Sequence, residues 1–306
     1  MMLILILNSV LCLPAIYKLT QYTKLKISLI GRESKLPIKI VVNDPFAHLA
    51  SGNIPEPQYG AEYRKWLSFS VKIIDEDNLG SGTIVYADKD VVYVQTCGHI
   101  WGGKTKSVSN QEMNKIKEKC RVVVYYDKNG KLLEPKVYDA DVLYYNNLGG
   151  PGAGHDVGLL KFIPDRVFDY CPIASANYFI GENYALHSTG CDGGSETAHY
   201  RVRVIQTPNA NLPHVITTQN SPRPGRSGGG LFTENYLVGV CWGTSIKDGT
   251  GNGYFTPLQT IRNYNQLNGF GWLNDVDQDL VRKIPIKNHT GNENYPENYI
   301  PLPEQY

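Results

Sequence analysis

The sequence predicts an all-β chain, and three observations carry that reading. Short runs rich in Val, Ile and Tyr recur from about Tyr63 to Leu267, separated by Gly, Pro, Asn and Asp clusters. β-branched and aromatic residues fit a pleated strand, and the clusters between them supply turns. Tyr200, Val202 and Val204 alternate with Arg201 and Arg203, the period of two that belongs to a strand with one wet face. Helical spacing is confined to two short segments.

In chain order, residues 43–60 carry Pro45, Gly52, Pro55, Pro57 and Gly60 and read as a linker. Ser68–Ile74, Gly82–Tyr86 and Val91–Thr96 are apolar runs split by Asp77-Asn78-Leu79-Gly80 and Asp88-Lys89-Asp90, the pattern of a β-meander. Ser109–Lys119 is polar and predicts an inserted surface helix. Arg121–Tyr126 ends at Asp127-Lys128-Asn129-Gly130, where Asn-Gly signals a hairpin because both residues tolerate positive φ. Gly149-Gly150-Pro151-Gly152-Ala153-Gly154 reads as a permissive loop that admits the next strand to the interior. Val157–Phe162 and Leu237–Trp242 are further strands, and Leu258, Ile261 and Tyr264 mark a closing helix over Leu258–Leu267.

Bulk properties exclude some classes of function. The 306 residues are enough for one large or two small domains. With 30 basic against 29 acidic residues and no basic stripe, nothing supports nucleic-acid binding. No Cys-x-x-Cys or His-Glu-x-x-His occurs, so no metal site is expected, and no cofactor motif is present. The six cysteines (Cys12, Cys97, Cys120, Cys171, Cys191 and Cys241) read as buried free thiols, with one or two disulfides left open. The N-terminus opens on an apolar run to Ala15, shorter than the roughly 20 residues of a membrane span. It fits the apolar region of a secretory signal, although no Lys or Arg precedes Lys18. The expectation is export, with membrane association only through this segment.

Three stretches converge on one chemistry: Thr96-Cys97-Gly98-His99, His155-Asp156-Val157-Gly158-Leu159-Leu160, and Gly225-Arg226-Ser227-Gly228-Gly229-Gly230-Leu231. Each alone is commonplace: Gly-x-Ser-Gly-Gly is commonly a flexible turn, and a His beside a strand is commonly a core or surface residue. Together they place a histidine, an aspartate and a serine each beside a β-like run, 57 and then 71 residues apart. A serine hydroxyl needs a base to become a nucleophile, an imidazole is that base near neutral pH, and a carboxylate fixes its tautomer. The expected catalytic residues are therefore His99, Asp156 and Ser227. The amides of Gly225 and Ser227 are expected to form an oxyanion hole.

These residues resemble the trypsin/chymotrypsin clan of serine peptidases in its bacterial and HtrA-like form. The resemblance covers about residues 64–268 and includes Gly80-Ser81-Gly82-Thr83, the three stretches above, Val238-Gly239-Val240-Cys241-Trp242-Gly243 and Gly253-Tyr254-Phe255-Thr256-Pro257. It implies two six-stranded antiparallel β-barrels with the active site in the cleft between them, His99 and Asp156 on the first and Ser227 on the second. It implies that Cys241, Trp242 and Gly243 form an edge that pairs with substrate backbone. Ser221 would floor the primary pocket, with Gly243 and Gly253 as its open walls, which favours a bulky apolar side chain over a cation. Two prolines in Ser221-Pro222-Arg223-Pro224 leave the register of that floor open.

The chain departs from the clan at three places. Arg226 stands where secreted pancreatic-type enzymes have the aspartate that pairs with a newly freed N-terminus, so that activation switch is expected to be absent. Gly230 replaces a proline. Only 36 residues follow Phe270, fewer than the roughly 80–100 of the PDZ module that HtrA proteins append. The expected organisation is a signal-like segment and arm over 1–60, a peptidase domain over 61–270 with barrels at about 64–165 and 175–268, and a tail over 271–306. The expected function is a serine endopeptidase acting on protein or peptide through an acyl-enzyme. The alternatives are a catalytically silent double-barrel binding protein and an α/β-hydrolase-type esterase. The esterase fold needs its histidine last in the chain, and only His289 follows Ser227.

Overall fold

The computed structural model describes residues 59–76, 78–101, 107–148, 155–209, 214–219, 221–245 and 251–276. The signal-like run, Cys12, nearly all of the linker, the Gly149–Gly154 loop and the tail beyond Val276 lie outside the described residues. No helix among the described residues is long and apolar enough to cross a membrane.

Two closed antiparallel barrels of six strands form the body. In the first half come β1 (Ser70–Asp75), β2 (Asn78–Ala87), β3 (Val92–Thr96), β4 (Ser107–Val108), β5 (Lys119–Tyr126), β6 (Leu132–Asn146) and β7 (Val157–Phe162). They pair in the order β6-β5-β1-β2-β3-β7, and β7 returns to β6 to close the ring, with the short β4 added outside β6. The second half holds β8 (Ala185–Cys191), β9 (Thr197–Gln206), β10 (Ile216–Thr218), β11 (Gly230–Phe232), β12 (Leu237–Thr244) and β13 (Gly253–Pro257), closed in the order β10-β13-β12-β11-β8-β9. Closure leaves neither ring with a free edge along its whole length.

Alternation decides which face turns inward. Val71 and Ile73 of β1, Val122 and Val124 of β5, and Val202 and Val204 of β9 are all buried, while Arg201 and Arg203 are exposed. β6 serves both β5 and β7 because it runs for 15 residues. Pro135 sits where its pairing with β5 shifts register between Val124 and Tyr126, a place where a missing N–H breaks no ladder bond.

Helix α1 (Arg64–Leu67) precedes the first barrel. Helix α2 (Asn110–Ile116) is shorter than Ser109–Lys119 predicts. Ser109 and Glu112 form a reciprocal capping box at its start, Lys117 turns left-handed at its end, and Lys119 already belongs to β5. Helix α3 (Leu258–Leu267) follows barrel two directly and docks back on barrel one. Its buried Asn265 accepts from Tyr144 Oη at 2.6 Å and donates to Gln95 Oε1 at 3.3 Å.

Candidate active site

His99 opens a one-turn 3-10 helix, His99–Trp101, at the end of β3. The residue before it has to be glycine, because a Cβ on Gly98 would lie 2.3 Å from the Asn146 carbonyl oxygen. Asp156 enters on the strand that pairs with β3: Thr96 faces Gly158 across the ladder. Its carboxylate is 1% exposed and fully engaged. Oδ1 accepts the backbone N–H of Gly98 at 2.6 Å and of His99 at 2.9 Å, and Oδ2 lies 2.5 Å from His99 Nδ1. From the second barrel, Thr256 Oγ1 donates to the Asp156 carbonyl at 2.8 Å.

The serine loop reaches this point from barrel two. A Cβ on Gly228, which has φ +87°, would meet the Ser81 carbonyl oxygen and Thr96 Oγ1, each at 2.1 Å. Only glycine lets the loop lie this close to the strand that carries His99. Ser81, fully buried in β2, holds the loop at two places: its N–H donates to the Ser227 carbonyl at 2.6 Å and its Oγ to the Gly225 carbonyl at 2.8 Å. Gly230 leaves no room for the clan's proline, since even a Cβ there would meet Phe232 Cζ at 2.0 Å.

The carbonyl partners fix where the amides point. The Pro224 carbonyl accepts from Gly193 N–H at 2.7 Å, and the Arg226 carbonyl from Gly229 N–H at 2.8 Å. In a trans peptide the N–H points opposite to its carbonyl, so the N–H groups of Gly225 and Ser227 are turned away from those bonds. Neither makes a hydrogen bond among the described residues.

The chain thus gathers His99, Asp156 and the Gly225–Ser227 loop, but Ser227 Oγ and His99 Nε2 are not hydrogen-bonded. The polar neighbour recorded for Nε2 is Cys97 Sγ at 3.9 Å. Burial disfavours charge on the His99 ring, while the Cys97 sulfur, insofar as it ionises, and the Asp156 carboxylate raise its pKa above the ordinary imidazole range. Burial pushes the Cys97 thiol up, so the thiol stays protonated and the charge that acts on His99 is that of Asp156. Cys97, His99 and Asp156 offer ligand atoms within 4.8 Å of one another. With both carboxylate oxygens already bonded and the thiol protonated, the set suits proton transfer better than metal ligation.

Around the cleft, Cys241 uses its backbone on the serine loop: its carbonyl accepts from Gly228 N–H at 2.7 Å and its N–H donates to the Gly229 carbonyl at 2.8 Å. Trp242 occupies a bulge between Cys241 and Gly243 and stacks on Tyr254, with centroids 5.1 Å apart. A Cβ on Gly243 would meet nothing within 4 Å. Ser221 is buried and hydrogen-bonded to the Thr244 hydroxyl, which itself donates to the Asn252 carbonyl at 3.1 Å. Gly253 pairs with Thr218 and Thr244 in the barrel wall. Sequence patterns placed Ser81 only within Gly80-Ser81-Gly82-Thr83, without its contacts, and missed Asp192. The latter receives Arg226 in an ion pair at 3.1 Å.

The family model of the trypsin-like peptidase domain matches residues 80–240. No curated protein matches the chain. Among solved structures, an inactive-form mutant of Rv3671c from M. tuberculosis is 17% identical over 71% of this chain and 97% of its own, with a TM-score of 0.48. Deg5 is 17% identical over 65% and 87%, with a TM-score of 0.45. The scabies mite inactivated protease paralogue S-D1 is 11% identical over 72% and 97%, with a TM-score of 0.48.

Proposed function

The chain belongs to the trypsin-like peptidase domain family and is a serine-type peptidase, and from that premise we propose that it is an endopeptidase whose catalytic triad is His99, Asp156 and Ser227. The observation that carries the proposal is the contact of the buried Asp156 carboxylate with His99 Nδ1 at 2.5 Å. It fixes the tautomer and leaves Nε2 as the nitrogen that exchanges protons.

Ser227 Oγ attacks the carbonyl carbon of the scissile peptide while His99 Nε2 takes the hydroxyl proton. Electrons displaced onto the carbonyl oxygen are met by the N–H groups of Gly225 and Ser227, each such donor contributing about 3–4 kcal/mol. The tetrahedral intermediate collapses, the C–N bond breaks, and His99 returns its proton to the leaving amine. Water, deprotonated by the same nitrogen, then adds to the acyl carbon, the C–Oγ bond breaks, and His99 passes the proton to Ser227 Oγ. The missing Ser227–His99 hydrogen bond is compatible with this sequence, since such contacts tighten when substrate arrives. It is also the one observation that favours a non-catalytic binding role.

Substrate enters as an extended strand along Trp242 and Gly243, with the second lone pair of the Cys241 carbonyl as a further acceptor. The pocket floor at Ser221 carries no charge, and Gly243 leaves its wall open. An unpaired buried cation is costly, so cleavage after bulky apolar residues is favoured over cleavage after Lys or Arg. The apolar run at the N-terminus is proposed to direct the protein out of the cytoplasm.

The test is hydrolysis of a peptide library by the wild type, Ser227→Ala, His99→Ala and the double variant. Each single variant is expected to lose several orders of magnitude in kcat, and the double hardly more, because the residues act as a unit. Near-normal turnover by Ser227→Ala would refute the nucleophile, and dominant cleavage after Lys, Arg or Glu would refute the pocket.

A further inference from the structure

Arg226 is a fully buried cation directly before Ser227. Its guanidinium meets the carboxylate of Asp192, in the turn between β8 and β9. Nη2 lies 3.1 Å from Oδ1 and 3.3 Å from Oδ2, and Nε lies 3.3 Å from Oδ1. The same guanidinium lies 3.3 Å over the ring centroid of Tyr200, whose hydroxyl donates to Asp192 Oδ2 at 2.8 Å. Gly190 of β8 leaves the space for this arrangement: a Cβ there would lie 2.5 Å from Arg226 Cγ. Forked pairing, a stacked ring and a bonded carboxylate are what a buried guanidinium requires, and removing one partner strands the other charge.

The turn holds the serine loop a second time. Gly193, the residue after Asp192, donates its N–H to the Pro224 carbonyl at 2.7 Å, the bond that turns the Gly225 N–H the other way. Lys72 Nζ anchors the turn from barrel one by donating to the Gly194 carbonyl at 2.5 Å. One short turn therefore grips both the side chain before the serine and the peptide that carries a proposed oxyanion donor.

We propose that Asp192 is a positioning residue for catalysis: with Tyr200 it ties Arg226 down and so presets the Gly225 and Ser227 amides through an ion pair internal to the chain. This inference rests on the reading of Ser227 as nucleophile. The loop then needs neither a newly cut N-terminus nor a bound ligand to reach its working geometry. The carboxylate that orders it comes from the β8–β9 turn, and the cation from the residue beside the nucleophile.

The test compares full-length wild type, Asp192→Asn, Asp192→Glu, Tyr200→Phe and Ser227→Ala on one peptide substrate. Far-ultraviolet circular dichroism is recorded at the assay temperature to establish that each is folded. Asp192→Asn is expected to lose about 10²–10³-fold in kcat, the scale of one oxyanion donor, with KM changed less than about threefold. Asp192→Glu should recover part of that loss. Tyr200→Phe, which removes only the hydroxyl that bonds Asp192, should lower kcat by a smaller factor, and it carries the test if Asp192→Asn does not fold. Wild-type kcat in a folded Asp192→Asn, or in Tyr200→Phe where that variant carries the test, overturns the proposal, as does a loss that falls wholly on KM. If Ser227→Ala itself turns over, the nucleophile assignment fails instead, which separates the two claims.

Discussion

At the scale of the residue, His99 is governed by Asp156. The carboxylate is buried, bonded to two backbone N–H groups and 2.5 Å from Nδ1, so its charge stays close to the ring and, against the effect of burial, raises the imidazole pKa above the ordinary range. In the proposed mechanism, only neutral His99 can take the Ser227 proton. Activity is therefore expected to rise with pH through the folded-state pKa of His99, placing the acid limb of kcat/KM above about 6.5. Asp156→Asn should move whatever limb remains downward. An unshifted limb in that variant, or a wild-type limb at or below the ordinary imidazole value, would contradict the assignment. The proposed triad could be named from the sequence because each residue sits in a local pattern of residue types beside a strand, and the structure brings His99 and Asp156 together. Asp192 was not legible there, and Ser81 was legible only as a member of Gly80-Ser81-Gly82-Thr83, without its contacts. Ser81 touches Gly225 across 144 positions and Asp192 meets Arg226 across 34, and no local signal marks an ordinary serine or aspartate for such a contact.

At the scale of the element, α1 shows how barrel two receives the chain that leads into barrel one. Trp66 stacks on His187 at 3.7 Å and Tyr63 on His199 at 4.2 Å, and the two imidazoles share a hydrogen bond of 2.8 Å. Glu234 Oε1 lies 3.6 Å from His187 Nε2. Burial, then the neighbouring His187 and Arg201, lower the His199 pKa to about 2. The unfolded chain binds a proton there near 6.5 and the folded chain does not, so this site gives its full stability above about 6.5 and loses it as pH falls. The expected slope is up to ~1.4 kcal/mol per pH unit below that value. Urea unfolding against pH should show a shallower acid loss for His199→Gln than for the wild type, and equal slopes would remove His199 from the account. Sequence periodicity located β9 and its wet face, and Val157–Phe162 and Leu258–Leu267 match β7 and α3. It missed β8 and most of β6. His187 and Ser188 read as polar although both are buried, and Leu132–Val137 at the start of β6 is largely exposed.

At the scale of the whole molecule, two rings built from separate halves of the chain meet where the chemistry is proposed. His99 and Asp156 come from one and Ser227 from the other, and Ser81, Thr256 and Asn265 bond across the divide. The five cysteines among the described residues are buried and unpaired, so packing and hydrogen bonds, not disulfides, hold the described body together. The all-β class followed from composition and turn spacing. Closure into two rings was expected only from the resemblance, because it depends on pairings such as β1 with β5 and β3 with β7 that join strands far apart in the chain. The central claim is that these halves together make Ser227 a nucleophile. It is tested most directly by treating the full-length protein with a fluorophosphonate and mapping the adduct by peptide mass. The account predicts one stoichiometric adduct, on Ser227, that slows by orders of magnitude in His99→Ala and disappears in Ser227→Ala. A folded wild type that takes no label, or takes it at the same rate after Ser227→Ala, would contradict it.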